Sequence, residues 1–130
     1  MTQMDDGFER EARERWGDTP AWKEAQRRTR GYTGEQVEQI KAELEEVESE
    51  FARLLEAGAE PGDHAVVQVA ERARLHIDRW YYPCPPAMHV ALSRMYIQDP
   101  RFKAHYDDRL EGLAEFVARA IEANAAREAN

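Results

Sequence analysis

The chain has 130 residues, a formal net charge of −8 and a mean hydropathy of −0.81, which predicts one acidic, soluble domain and argues against direct nucleic-acid contact, because phosphates require a basic surface. No apolar run approaches the length of a membrane span, and the N-terminus lacks the basic-then-apolar pattern of a signal peptide. With Cys84 as the single cysteine, no internal disulfide can form, and we expect a cytoplasmic protein without membrane contact.

The first 31 residues are strongly charged and carry few large apolar side chains. The pattern predicts a helix over residues 6–15. A second helix is predicted to begin at Thr19-Pro20, a cap followed by a first-turn proline, and to end near residue 30. A segment with so little apolar surface cannot form a core alone.

A long helix is the clearest element of the sequence. Thr33 and Gln36 have the spacing of a capping box, and Gly58 is expected to end the helix. Apolar residues recur along it at intervals of three and four: Val37, Ile40, Leu44, Val47, Phe51 and Leu54. A metal site could be read into its acidic residues, Glu43, Glu45, Glu46, Glu48 and Glu50. They spread round the outward face, however, and a solvated surface is the ordinary interpretation.

The next helix leads into a corner. After a loop over residues 59–62, Asp63 is expected to cap this helix. Its predicted buried side consists of Val66, Ala70, Ala73, Ile77 and Trp80. Pro83, Pro85 and Pro86 then predict the corner, because they end one helix and occupy the first turn of another, where a backbone N–H is not needed.

The helix that begins after the corner, near Pro86, is numbered α4 below. It carries an apolar stripe that we call the α4 stripe: Met88, Leu92, Met95 and Tyr96. The stripe allows two interpretations, a core face or the wall of a ligand pocket. Methionine adapts its shape to irregular ligands, and Trp80, Tyr81 and Tyr82 crowd the same corner with polar tips on apolar bodies. A pocket lined in this way would suit a large, flat, mostly uncharged molecule.

Two further helices complete the chain. Asp99-Pro100 repeats the cap-then-proline signal for a short helix through Tyr106. The last helix is predicted from about Leu110 to Ala125, with a buried face made of Leu113, Phe116, Val117, Ala120 and Ile121. No alternating strand pattern competes with these helices, so the sequence predicts an all-α fold.

The histidines do not predict a metal centre. His64, His76, His89 and His105 show no i, i+4 pair of the kind that binds zinc on a helix, and one histidine on a helical chain is poor evidence for haem. We interpret His89 as a hydrogen-bonding residue at the edge of a pocket. No recognisable set of nucleophile, base and orienting residue is present, so we expect no metal, no cofactor, no catalytic residues and no enzymatic activity.

Several stretches together carry a family resemblance. They are Arg13-Glu-Arg-Trp-Gly-Asp-Thr-Pro-Ala-Trp-Lys-Glu-Ala-Gln-Arg-Arg-Thr29, Tyr32-Thr33, Met88-His89, Leu92, Met95-Tyr96, Asp99-Pro-Arg-Phe102, Gly112-Leu-Ala114, Ala120-Ile121 and Ala123-Asn-Ala125. In these stretches the chain resembles the TipA-type antibiotic-recognition domain. This domain is the C-terminal effector module of MerR-family transcription regulators and also occurs as free-standing drug-binding proteins. The resemblance covers nearly the whole chain in register.

The resemblance implies an all-helical, globin-like fold without haem that encloses a bulky antibiotic, such as a thiopeptide, in an apolar cleft. It also implies that residues 1–31 form a lid, mobile without ligand, over a binding core of residues 32–130. We predict the following ligand-binding residues: Trp16, Trp22, Tyr32, Trp80, Tyr82, Met88, His89, Leu92, Met95 and Tyr96. Trp16, Trp22 and Tyr32 would close over the ligand from the N-terminal side.

Two questions stay open at this point, one about the organisation of the protein and one about its class of function. The chain is either the effector domain of a regulator whose longer form carries an upstream DNA-binding domain, or a stand-alone drug-sequestering protein. A different class of function is also possible: a helical protein-interaction module without a small-molecule ligand, in which the α4 stripe packs on another helix.

Cys84 raises the question of covalent binding. In thiopeptide-binding relatives a reactive cysteine stands just before the leucine of a Met-His-x-x-Leu pattern, and here that position is Ala91. Cys84 matches a different family cysteine, seven residues earlier. A helix N-terminus would favour its thiolate, whereas burial among tyrosine, proline and alanine would raise its pKa. We expect an inert thiol and reversible binding.

Overall fold

The computed structural model describes residues 19–128, which form six α-helices and no strand. The helices are α1 (Pro20–Arg30), α2 (Gly34–Glu56), α3 (His64–Trp80), α4 (Pro86–Gln98), α5 (Pro100–Asp107) and α6 (Leu113–Glu128). The predicted all-α fold is confirmed. The helix predicted over residues 6–15 lies outside the described residues. Within residues 19–128, none of the helices combines the length and apolarity that crossing a bilayer requires.

The α1 helix begins where the sequence predicts. The Thr19 hydroxyl accepts a hydrogen bond from the Trp22 amide at 3.2 Å. None of the residues of α1 is completely buried. The helix contacts α3 through the Arg28 guanidinium, which donates to the carbonyl oxygens of Asp78 and Arg79 at 2.8 and 3.3 Å. Because the last carbonyls of a helix lack partners within the helix, a cation placed there is favourable.

The predicted signals at both ends of α2 are confirmed. The Thr33 hydroxyl accepts from the Gln36 amide at 3.1 Å, and the Gln36 side-chain oxygen accepts from the Thr33 amide at 2.9 Å. At the other end Gly58 has a φ of 86°. The Ala59 amide donates to the Leu54 carbonyl at 3.0 Å, which is the Schellman arrangement. Glycine suits this position because a side chain disfavours a positive φ.

Asp63 precedes α3, but it does not cap the helix through its side chain as predicted. Its backbone is extended at the N-cap position, yet the carboxylate makes no capping hydrogen bond. The carboxylate instead accepts from the Glu60 amide at 2.9 Å and braces the preceding loop. The capping prediction was therefore correct for the position and wrong for the role of the side chain.

Two side chains of α3 hold the proline corner in place. The Asp78 carboxylate accepts from the Cys84 amide at 2.8 Å, and the Arg74 guanidinium donates to the Cys84 carbonyl at 2.9 Å. The prolines set the backbone directions on either side, and α4 begins at Pro86 as predicted. The conformation of the corner therefore depends on α3 as well as on the prolines.

The start of α6 differs from the prediction by three residues. The sequence predicts a start near Leu110, but the helix begins at Leu113 because Gly112 adopts a φ of 87° and a turn precedes it. The Asp107 carboxylate, at the end of α5, accepts from the Ala114 amide at 3.0 Å. Asp107 therefore satisfies an N-terminal donor of α6. The predicted start of α5 is confirmed, with the Asp99 carboxylate accepting from the amide one residue into the helix.

The core lies between α2, α3 and α6, and α4 packs against α6. The five residues predicted to be buried on α6 are all buried. Core members from the three helices are Val47, Phe51, Leu54, Val66, Val69, Ala70, Leu113, Phe116, Val117, Ala120 and Ile121. Val37 and Leu44, which belong to the periodic apolar pattern of α2, are exposed by 38% and 41%, so the buried face of α2 is narrower than that pattern suggests.

The α4 stripe is not the buried face of α4. Met88, Leu92 and Met95 are each half-buried, whereas His89 and Ser93 are fully buried. The face of α4 that carries His89 and Ser93 is therefore the one that packs inward. The Ser93 hydroxyl donates to the Val90 carbonyl of the same helix at 2.6 Å. Of the stripe, Tyr96 alone packs against the core.

Candidate functional site

A cavity of about 600 Å³ lies between α2, α3, α4, α5 and α6. Its inner wall is apolar and aromatic and is formed by Val47, Phe51, Tyr96, Tyr106, Val117 and Ile121. Exposed residues at its edge, including Leu44 and Arg101, show that it opens to solvent between α2 and α5. A volume of this size is within the usual range for small-molecule sites, about 300–1,000 Å³.

Aromatic rings from α4 and α5 form one side of the cavity. The centroid of the Tyr96 ring lies 5.9 Å from that of Phe102 and 5.3 Å from that of Tyr106. These separations are typical of favourable ring contacts. Burial raises the pKa values of Tyr96 and Tyr106 above the ordinary tyrosine value. Both hydroxyls therefore stay protonated at neutral pH and offer neutral hydrogen-bonding groups beside apolar ring faces.

A buried carboxylate bridges α2 to α5 at the cavity. Glu48 is only 5% exposed. Its carboxylate accepts from the His105 Nε2 at 2.9 Å, and Arg109 lies 3.6 Å away. Arg109 is in turn bound to Glu45 at 2.6 Å. Of the five acidic residues interpreted as a solvated face, Glu48 alone is buried, so the interpretation was wrong for this residue.

His89 places a polar group at the base of the cavity. It is 2% exposed, and its Nδ1 has no hydrogen-bond partner. Burial lowers the pKa of His89 to about 4, an effect that the nearby Arg74 increases and Glu71 opposes. The imidazole is therefore neutral at physiological pH. A neutral ring carries one donor and one acceptor nitrogen, so it can bind a ligand group of either kind.

Of the residues predicted to bind ligand, His89 and Tyr96 line the cavity. Trp80 is buried outside the cavity: its indole N–H donates to Glu43 at 2.7 Å, and the Tyr32 ring packs against it edge-on at 5.4 Å. The Tyr32 hydroxyl also donates to the Trp80 carbonyl at 2.5 Å. Trp80 and Tyr32 therefore join the segment after α1 to the end of α3.

The other predicted ligand-binding residues are distributed over the surrounding surface. Trp22 borders a shallow groove on α1 itself, and Trp16 lies outside the described residues. Half-buried residues that do not line the cavity are Tyr82, Met88, Leu92 and Met95. The arrangement expected from sequence, with Trp80 or Tyr82 facing Met88 and Leu92 across one cavity, is therefore not the one observed. Contact of these residues with a ligand stays a prediction.

Sequence reasoning missed the contribution of α5. Phe102 and Tyr106 are four residues apart on one face of this short helix and, together with His105, they form the outer side of the cavity. The i, i+4 spacing was a usable signal. The approach of α5 to Glu48 is a tertiary contact between residues 57 positions apart, and no local pattern reports it.

The described residues contain no group of three or more His, Cys, Asp or Glu side chains arranged to hold a metal ion. Cys84 is fully buried, and burial raises the pKa of its thiol to about 11. The helix N-terminus beside it therefore does not produce a thiolate at neutral pH. The site therefore offers apolar contact and neutral hydrogen bonding, with the Glu48 carboxylate as a buried acidic group on the α2 side.

Comparison with known proteins identifies the family. A family model of the TipAS antibiotic-recognition domain matches residues 8–124. The HTH-type transcriptional activators TipA of Streptomyces coelicolor and of Streptomyces lividans are each 38% identical over 122 residues, which are 94% of this chain and 48% of the relative. The HTH-type transcriptional activator mta of Bacillus subtilis is 32% identical over 99 residues, 75% of this chain and 37% of its own length. The chain thus spans about half the length of the TipA proteins.

Solved structures agree with this match. A TipAS structure from Streptomyces lividans, in complex with the thiopeptide nosiheptide, superposes with a TM-score of 0.89 at 37% identity, covering 96% of this chain and 87% of the other. The antibiotic-binding domain of a TipA-class multidrug resistance regulator superposes with a TM-score of 0.65 at 35% identity, covering 70% and 97%. The globin-like fold is thereby confirmed, and these relatives are transcriptional activators and antibiotic-binding domains. The chain belongs to the TipAS antibiotic-recognition domain family.

Proposed function

We propose that this chain binds a bulky, thiopeptide-like antibiotic in the cavity between α2 and α5. The observation that carries the proposal is the aromatic and aliphatic wall made by Phe51, Tyr96, Phe102 and Tyr106 around an open space of about 600 Å³. Such a wall recognises flat rings by apolar contact and ring stacking. The nosiheptide complex of a relative with the same fold supports the thiopeptide class.

The biological role follows from the relatives and is part of the proposal. In a longer, cytoplasmic regulator, antibiotic binding by this domain would control a DNA-binding domain and so activate transcription. As a separate protein, the same domain would lower the free concentration of the drug. Both roles require that the chain itself binds the antibiotic.

A titration with nosiheptide tests the proposal. A ligand that binds only the folded state at 100 times its Kd raises the free energy of unfolding by about 2.7 kcal/mol, and we expect a matching rise in Tm. Phe102→Ala should weaken binding by removing one ring of the wall. Leu75→Ala is the matched control, because Leu75 is 48% exposed and lies outside the cavity. Absence of any shift with a panel of thiopeptides and other bulky antibiotics would contradict the proposal.

The N-terminal segment is proposed to act as a lid over residues 32–130. Two observations support this for α1: it buries no residue completely, and Arg28 holds it to α3 by hydrogen bonds. Hydrogen exchange with and without nosiheptide is the test. We expect fast exchange of the α1 amides in the free protein and slower exchange in the complex. Strong protection of α1 without ligand would argue against a lid.

A protein-interaction module is the second candidate function. The half-buried side chains of Met88, Leu92 and Met95 favour it, because they leave apolar surface on the outer side of α4. In that case Leu92→Glu should abolish partner binding and leave nosiheptide binding intact. Loss of nosiheptide affinity in Leu92→Glu, with the fold preserved, would instead assign the α4 stripe to the ligand site as the sequence predicts.

A further inference from the structure

His89 is an exception among the buried side chains of residues 19–128. It is 2% exposed, and its Nδ1 is the one buried side-chain nitrogen or oxygen in this part of the chain without a hydrogen-bond partner. Native proteins satisfy nearly all such groups, because an unpaired polar atom away from water is destabilising. An unpaired atom in the wall of a cavity therefore requires a functional explanation.

The charged side chains nearest to His89 are Glu71 and Arg74, and they are hydrogen-bonded to one another. The Glu71 carboxylate accepts from Arg74 at 2.6 and 2.8 Å and from the Asn124 amide at 2.9 Å. Arg74 also donates to the Cys84 carbonyl. Because this network joins α3 to α6 and to the proline corner, moving Glu71 toward His89 would break contacts that hold the fold. The network therefore does not supply the partner of Nδ1.

His89 lies in the first turn of α4. Its backbone amide donates to the Pro85 carbonyl at 3.1 Å, within the first turn. The ring forms part of the cavity wall together with Tyr96 and Ile121, while Nδ1 itself is closed off from solvent. Contact between a ligand and Nδ1 therefore requires the cavity wall to open, and the α5 side of that wall has no completely buried residue.

We propose that His89 Nδ1 is the hydrogen-bond anchor of the cavity and that it pairs with a neutral polar group, such as an amide or a heteroaromatic nitrogen, set within the apolar body of the ligand. This inference rests on the proposed antibiotic-binding function. A neutral group is required because an uncharged imidazole cannot offset the desolvation of a charge. The imidazole can use either tautomer, so it accepts from a donor or donates to an acceptor.

The test compares His89→Leu with a matched histidine variant, His64→Leu, which changes an exposed residue outside the cavity. For His89→Leu we expect the Kd for nosiheptide to rise about tenfold while Tm stays the same or rises, because the variant removes an unpaired buried group. A residue that only supports the fold would lower Tm and affinity together. For His64→Leu we expect the wild-type Kd.

The imidazole ¹⁵N NMR spectrum of the wild-type protein gives a second readout that does not depend on the folding of a variant. We expect the Nδ1 resonance of His89 to change on addition of nosiheptide, as a new hydrogen bond forms. An unchanged resonance, or a His89→Leu Kd within twofold of wild type, would overturn the inference and leave the proposed function standing. Failure of the wild-type protein to bind any member of the antibiotic panel would instead remove the proposed function, and this inference with it.

Discussion

The two sides of the space between α2 and α6 are packed differently. On one side, Leu113, Phe116 and Ala120 belong to a closed apolar core. On the other side, α5 approaches without burying any residue completely, and the cavity remains between them. Glu48, His76 and His89 are three of the five buried polar side chains of the described residues, and all three line the cavity. The closed side therefore stabilises the fold, whereas the open side is the one for which we propose ligand binding.

The largest expected difference in the free energy of unfolding is between a truncation on the core side and one on the α5 side. Leu113 is fully buried in the core, so Leu113→Ala should lower the free energy of unfolding by about 2–5 kcal/mol. Phe102→Ala should lower it by less, because Phe102 is half-buried at a cavity that is already open. Urea unfolding of both variants measures the difference. Equal losses would show that the α5 side is packed as tightly as the core.

The next largest effect is a pH dependence of the free energy of unfolding, which we expect from His89 on the cavity side. The pKa of His89 is about 4 in the folded protein and 6.5 unfolded, so the unfolded chain binds more protons between these values. Stability should therefore fall as pH decreases from about 6.5 to about 4, by at most about 3 kcal/mol. In His89→Leu this part of the slope should vanish. If the slope persisted in the variant, another group would be responsible.

Removal of the link between α2 and α5 should have a smaller effect. His105→Ala takes away the hydrogen bond to the buried Glu48 but leaves Arg109 at 3.6 Å, so we expect a loss of about 1–2 kcal/mol. The control is Lys103→Ala on the same helix, whose solvent-exposed ion pair with Asp107 should contribute less to stability than the buried contact of His105. Thermal unfolding compares the two, and a larger loss for Lys103→Ala would contradict the assignment.

The smallest expected effect concerns Cys84. Because the thiol is fully buried with a pKa raised to about 11, we expect no adduct after prolonged incubation with nosiheptide. Intact-protein mass spectrometry checks this. A stoichiometric mass increase that disappears in Cys84→Ala would show that the cavity opens far enough to expose and activate the sulfur.

Local signals in the sequence predicted the helices well and the site only in part. The caps at Thr19, Thr33 and Asp99 and the glycine at position 58 act within one turn, so their positions could be read directly. The face of α4 was misjudged because its apolar residues are half-buried while His89 is buried. Hydrophobicity alone cannot show that a polar residue faces the interior.

The cavity itself could not be derived from periodicity. It depends on where α5 approaches α2, and the contact between Glu48 and His105 links residues far apart in the chain. The resemblance to a known domain family supplied the correct fold and the expectation of a cleft. It did not supply the lining, because residues such as Phe102 and Tyr106 carry no separate signal beyond their spacing.

The attachment of α1 has a calorimetric consequence. Arg28 holds this helix by hydrogen bonds to the end of α3, and no side chain of α1 is completely buried. The heat capacity of a protein changes chiefly with the apolar area exposed to water. Because Ala21, Trp22 and Ala25 are only partly buried, detachment of α1 should raise the heat capacity much less than unfolding of the core. Closure of α1 over a ligand, by contrast, would bury apolar surface and make the binding enthalpy more negative as temperature rises.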